Sequence, residues 1–218
     1  MAFIKKTFLV LSIFLSGCSS TQLVSNWKNP EIVLFDAYKV LVVGMTDNEE
    51  VRTDFESKLQ KVFESRDVEA VRSIDLFDVE FTATKQTEEE LSAVEDQLLQ
   101  RDFDAILFTK IVGSENVQTM RTTLNNTHKY LSTFKDDYLK HQGIYYEDDY
   151  YETFTVFHAE TSLYCICVGK ERQTIWNAGI DITDPKNFEK SVDDYIQLLE
   201  KSMEEQNLIF RKNELTNL

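Results

Sequence analysis

Three histidines, three cysteines and a run of tyrosines mixed with acids are the side chains whose types could do chemistry in this sequence. His128, His141 and His158 show no spacing that pairs them as zinc ligands. Cys165 and Cys167 alternate to the same side of a predicted strand, where a disulfide would be strained, and the C-x-x-C spacing of redox sites is missing. Buried free thiols are the expectation there. Asp47 closes an apolar strand-like run and could face a ligand crevice, but its position just before a helix makes N-capping the better account. There is no Gly-x-Ser-x-Gly, no phosphate loop and no dinucleotide fingerprint. Nothing nominates an active site, so neither an enzyme nor a cofactor is expected.

The most unusual stretch is Gln118 to Glu152, which holds six of the nine tyrosines, interleaved with Asp136, Asp137, Glu147, Asp148, Asp149 and Glu152. Tyrosine offers a large amphipathic surface at low rotamer cost, so a long Tyr-rich loop suits contact with a protein or glycan. The expected contact residues are Tyr138, Tyr145, Tyr146, Asp148, Asp149, Tyr150 and Tyr151. The bland alternative is a solvated loop whose tyrosines pack on the parent domain. A calcium site from Glu147, Asp148, Asp149 and Glu152 is chemically possible, yet the spaced Asp/Asn and Gly of a calcium loop are absent, and no metal is expected.

Cys18 has a different chemistry. Lys5 and Lys6 supply a basic start, Thr7 to Leu15 an apolar stretch too short to span a bilayer, and Leu15-Ser16-Gly17-Cys18 resembles the bacterial lipobox. That resemblance implies a cleaved signal peptide over 1–17 and a diacylglycerol, usually with a further fatty acyl chain of the palmitate type, on Cys18. At roughly 0.8 kcal/mol per buried methylene, two or more chains make membrane release slow. Ser19 and Ser20 lack the aspartate that typically retains lipoproteins at the inner membrane. The implied address is the outer membrane, facing the periplasm.

Cleavage before Cys18 would remove two lysines and no acid, leaving 21 basic against 38 acidic side chains. Binding to nucleic acid needs clustered Lys and Arg, so a nucleic-acid partner is excluded, and docking through anionic headgroups is disfavoured. With Cys18 lipidated, two cysteines are too few for a disulfide scaffold, so a hydrophobic core must carry stability. The 201 remaining residues suit one domain.

The elements that must position these residues follow from periodicity. Residues 18–37 carry the lipidated cysteine and then read as a polar tether, and 38–218 as a single α/β domain. Tyr38 to Met45 is a continuous apolar run, the mark of a strand buried on both faces. Asp47 and Glu50 then make a helix start, with Val51, Phe55, Leu59, Val62 and Phe63 on one face. A short strand over Val68 to Ser73 precedes a capping box at Thr87 and Glu90 and a second helix bearing Leu91, Val94, Leu98 and Leu99. Ala105 to Val112 restores a strand. After the long loop, Thr153 to Val168 and Gln173 to Asp184 form a hairpin around Gly169 to Arg172, with Trp176, Ala178, Ile180 and Ile182 on its buried face. Asp184 and Pro185 start a last helix with Phe188, Val192, Tyr195, Ile196, Leu199 and Met203 along one stripe. The predicted fold is one mixed sheet in the order β-α-β-α-β-(long loop)-β-β-α with helices packed on it.

Ser25 to Pro30, Glu160 to Tyr164, Gly169-Lys170, Ile175-Trp176, Asp184-Pro185 and Asn207-Leu208-Ile209 together resemble a widespread group of uncharacterised bacterial envelope lipoproteins. The order of elements is similar to the α/β domains of the curli-secretion lipoprotein and of the amino-terminal domain of the Tol-Pal translocation protein. The resemblance implies a non-catalytic, lipid-anchored protein acting through contacts with an envelope protein in assembly or maintenance. A ligand- or cation-binding module using the Tyr/acid loop is the alternative.

Overall fold

The computed structural model describes residues 21–32, 35, 37–114, 133–146, 156–166, 174–183 and 187–208. The elements are β1 (Thr21–Lys28), β2 (Lys39–Met45), α1 (Glu49–Glu64), β3 (Glu69–Arg72), α2 (Ser73–Leu76), α3 (Val79–Ala83) and α4 (Glu88–Gln100), then β4 (Ala105–Ser114), α5 (Phe134–His141), a 3₁₀ turn (Gln142–Tyr145), β5 (Val156–Cys165), β6 (Thr174–Thr183) and α6 (Phe188–Glu205). The strands form one open mixed sheet in the order β1-β6-β5-β4-β2-β3. The apolar run of β2 sits between β3 and β4, parallel to both, and β4, β5, β6 and β1 continue antiparallel. No helix among the described residues is long and apolar enough to cross a membrane.

Strand alternation sends successive side chains to opposite faces, and both faces are covered. On one, Val40, Val42, Leu107, Leu163, Trp176, Ala178 and Ile180 pack with Phe55, Leu59 and Phe63 of α1 and with Val192, Tyr195 and Leu199 of α6. On the other, Leu41, Val43, Met45, Ile106, Phe108 and Tyr164 meet Leu91 and Leu98 of α4, Phe134 and Tyr138 of α5, and Ile144. The hairpin face read around Trp176 is therefore as expected, and Trp176 is wholly buried.

Local chemistry fixes the helix ends. Thr87 and Glu90 make the expected capping box, and Thr133 and Asp136 make a second one at α5. The start of α1 lies one residue later than predicted, because Asn48 rather than Asp47 accepts the bond from the Val51 amide. Asn187 caps α6 by accepting from the Lys190 amide, in place of the expected Asp184. After α1, α4 and α6, the residues Asp67, Asp102 and Asn207 take the left-handed conformation. In each case the next amide bonds back to the helix: Val68 to the Phe63 carbonyl, Phe103 to Leu98, Leu208 to Met203. All three following residues are buried, which makes each end a Schellman stop with its apolar clasp.

Two expectations are corrected. Residues 21–28 are not tether but edge strand β1, paired antiparallel with β6. Its polar side chains hold it in place: Asn26 Oδ1 accepts from Trp176 Nε1 at 2.8 Å, and Lys28 Nζ donates to the Gln206 carbonyl at 2.9 Å. A register shift between Leu23 and Ser25 breaks the period of two, so no apolar alternation betrays the strand. The second correction concerns 118–152, which is not one separable loop. It contains α5 and the 3₁₀ turn, and Phe134, Tyr138 and Ile144 enter the core. Phe134 lies 5.5 Å from Phe108 edge-on and 5.9 Å from Tyr164, so an aromatic cluster anchors the segment.

Candidate functional site

Strand register builds a buried polar row on the α4/α5 side of the sheet. Lys110 of β4 stands opposite Glu160 of β5, and His158 of β5 opposite Asp181 of β6. All four are buried, and α5 brings Asp137 to the same place. The Lys110 ammonium bonds Asp137 and lies 3.0 Å from Glu160 Oε2. Tyr164 donates to Asp137 Oδ2 at 2.6 Å, and His141 Nδ1 lies 3.0 Å from Asp137 Oδ1. Burial alone would lower the Lys110 ammonium, but the Glu160 and Asp137 carboxylates outweigh it and hold it above its ordinary value. Burial likewise pulls both carboxyls upward, and Lys110 overcomes that pull, keeping Asp137 far below and Glu160 below the usual carboxylate range.

His158 Nδ1 lies 2.7 Å from Asp181 Oδ1. An ionised carboxylate only accepts, so Nδ1 carries the hydrogen and Nε2 is turned toward Gly179. A Cβ on Gly179 would stand 2.8 Å from that Nε2 and 2.6 Å from Ser25 Oγ, so glycine is required for the ring and the hydroxyl to lie over the strand. Among the described residues, His158 Nε2, Ser25 Oγ and Asn177 Oδ1 are buried and find no hydrogen-bond partner. An Asp–His pair beside a hydroxyl has the types of a hydrolytic triad, but the imidazole is fully buried and does not line the cavity on the opposite side of the sheet. What this row does chemically is compensate charge inside the fold.

The opposite side holds a cavity of about 230 Å³, between the N-terminal ends of α1 and α6, at the carboxyl end of β2 and against Thr109 and Ile111 of β4. That is where open α/β sheets take ligands. Its walls are apolar: Val51 and Phe55 of α1, Ile111 of β4, Phe157 of β5, Ile182 of β6 and Val192 of α6. Phe188, 55% exposed, stands at the mouth. Several polar groups on the wall already have partners. Thr109 and Thr161 hydroxyls are 2.6 Å apart, and Thr161 bonds Tyr195, whose phenol burial raises. Arg52 donates to Glu56 at 3.2 Å and to Ser73 Oγ at 2.8 Å. Asp47, freed from capping, lies on the lip.

The predicted contact residues do not come together here. Tyr138 is core, and burial raises its phenol above the ordinary value. Tyr145 lies beneath the Arg52 guanidinium, 5.3 Å from ring centre to carbon, and its hydroxyl donates to the Gly44 carbonyl at 3.4 Å. Tyr146 is 38% exposed. Asp148, Asp149, Tyr150 and Tyr151 lie outside the described residues, as do Cys18, Glu147 and Glu152. No group of three or more His, Cys, Asp or Glu among the described residues is placed to hold a metal ion. Cys165 is disulfide-bonded, which corrects the expected free thiol. β5 ends at that residue, and Cys167 lies outside the described residues.

No family model matches the chain, and no curated protein matches it either. Among solved structures the chain is similar to the PelC dodecamer from Paraburkholderia phytofirmans, with a TM-score of 0.40 and 7% identity over 88% of this chain and 99% of that one. A variant PelC dodecamer from the same organism gives a TM-score of 0.39 and 10% identity over 88% and 98%. Likenesses of this size carry no argument about what the chain does.

Sequence reasoning missed the cavity because its walls come from six separate elements. It also missed the polar row, although Lys110 inside the apolar run Ala105 to Val112 was a visible signal. A charge in a strand buried on both faces demands a partner at the register position.

Proposed function

We propose that this chain is a non-catalytic, lipid-anchored protein of the bacterial outer membrane, facing the periplasm, that serves envelope assembly or maintenance by binding. The cavity between α1 and α6 is the observation that carries the binding reading. Its inner walls are apolar, and Arg52, Thr109 and Tyr195 on them already hold partners, which suits shape-selective uptake of an apolar group. The lipobox at Cys18 supports the anchor. Contact with an envelope protein is favoured by Phe188, exposed at the cavity mouth, since a large apolar side chain beside a pocket is a natural anchor point.

A photocrosslinking amino acid at Phe188 in intact cells tests the site, with Val79 on α3, 79% exposed, as the control position. Capture at 188 and not at 79 is expected. Equal capture at both, or none at 188, refutes the cavity as the binding site. Replacement of Cys18 by Ser should remove the protein from the washed membrane fraction, and retention there would refute the anchor.

A further inference from the structure

β1 begins at Thr21, whose register partner on β6 is Ile182, a wall of the cavity. Adjacent strands lie roughly 5 Å apart, and Thr21 is itself buried. The chain therefore enters the described fold at the cavity's end of the sheet. Cys18 precedes Thr21 by three residues, which span at most about 10 Å when fully extended. An acyl chain of the lipid on Cys18 thus starts within reach of a cavity whose inner walls are apolar.

We propose that this cavity receives one of the saturated acyl chains carried by Cys18, so that the protein shelters part of its own anchor. The inference rests on the lipoprotein reading above. The chemistry fits at each point. A saturated chain brings no donor or acceptor that would lose water without replacement, and Thr109, Thr161, Tyr195 and Arg52 are already bonded. The opening lies between the first turns of α1 and α6, beside Phe188, which covers an entering chain on its exposed flank. An acyl chain held here is withdrawn from the bilayer while the remaining chain or chains stay inserted.

The test uses the full mature lipoprotein from cells fed a diazirine-bearing palmitate analogue. After irradiation and digestion, the peptide carrying Cys18 should be crosslinked to peptides carrying Phe157, Ile182 or Val192. Two variants narrow the cavity from different walls, Ala159→Leu and Val51→Trp, and cooperative melting verifies that each folds. In either, the crosslink should fall about tenfold, the factor that corresponds to about 1.4 kcal/mol of lost occupancy. A Cys18 peptide that carries the labelled lipid but crosslinks only to phospholipid, another protein or a second copy overturns this inference and leaves the lipoprotein reading standing. A Cys18 peptide whose mass shows no lipid overturns both. In a third arm the Cys18→Ser chain meets the free analogue. Cavity labelling there, without labelling from Cys18 in the lipoprotein, assigns the cavity to free fatty acid and likewise overturns the inference.

Discussion

Replacing Lys110 with Met removes the ammonium that bridges Asp137 and Glu160 while keeping most of its stem. Lys110 is 2% exposed, and the two carboxylates are buried with it. Truncating one side of a buried charge group leaves the other uncompensated, which costs about 3–5 kcal/mol, a large share of the roughly 5–15 kcal/mol that domains possess. With a urea slope of about 2 kcal/mol/M, the midpoint should drop by about 2 M. The pH dependence has a definite sign. In the native chain Asp137 and Glu160 are held below their ordinary values, so their contribution is present above the unfolded carboxyl pKa of about 4 and is lost as pH falls through the lower native values. Lys110 is held above its ordinary value, so its contribution is full below about 10.4 and is lost as pH rises through the raised native value. Without the ammonium, burial favours protonated carboxyls, so the defect of Lys110→Met should be largest at pH 7 and shrink toward pH 5. Urea unfolding followed by tryptophan fluorescence at both pH values measures this. A loss under about 1 kcal/mol at pH 7, or parallel profiles for the two proteins, would refute the charge compensation.

Trp176→Ala, at a wholly buried position, should cost about 3–5 kcal/mol in the same assay; a loss below about 1 kcal/mol would contradict its packing against α6. Gly179→Ala should lose about 1–3 kcal/mol because its Cβ meets Ser25 Oγ and the His158 ring, and adding Ser25→Gly should return part of that loss. Thr87→Ala should cost about 0.5–2 kcal/mol through the capping box at α4, read as a lower melting temperature. Exchanging residues 120–149 for a short Gly/Ser linker should abolish cooperative unfolding, since Phe134, Tyr138 and Ile144 leave the core; an unchanged transition would show that α5 adds nothing to it.

The central strands and long helices were legible because each announces itself over a short window. The apolar run of β2, the Thr87 box and the 3.6-period stripe of α6 need no knowledge of the rest of the chain. β1 was illegible for the opposite reason. Its side chains earn their places through Trp176, Ser202 and Gln206, more than a hundred residues away, and nothing local marks them. The tyrosines of 118–152 misled because composition drew attention away from spacing. Phe134 and Tyr138 stand one helical turn apart behind a Thr-x-x-Asp cap, which is a helix signal whatever the surrounding acids. Of the candidate site, Asp47 at the end of β2 could be placed near a crevice from the sequence, but the cavity itself exists only after α6 folds back across the sheet.

The long reach of β1 has a kinetic consequence. Asn26 and Trp176 are 150 residues apart, so the first strand cannot pair until nearly the whole chain is present, and contacts of such separation form late. Until then β6 offers an open edge to any other extended segment. Substitutions in β1 should therefore speed unfolding while leaving the folding rate almost unchanged. The hazard they create is prolonged exposure of that edge, and it would be felt as aggregation of a chain whose central sheet has already formed.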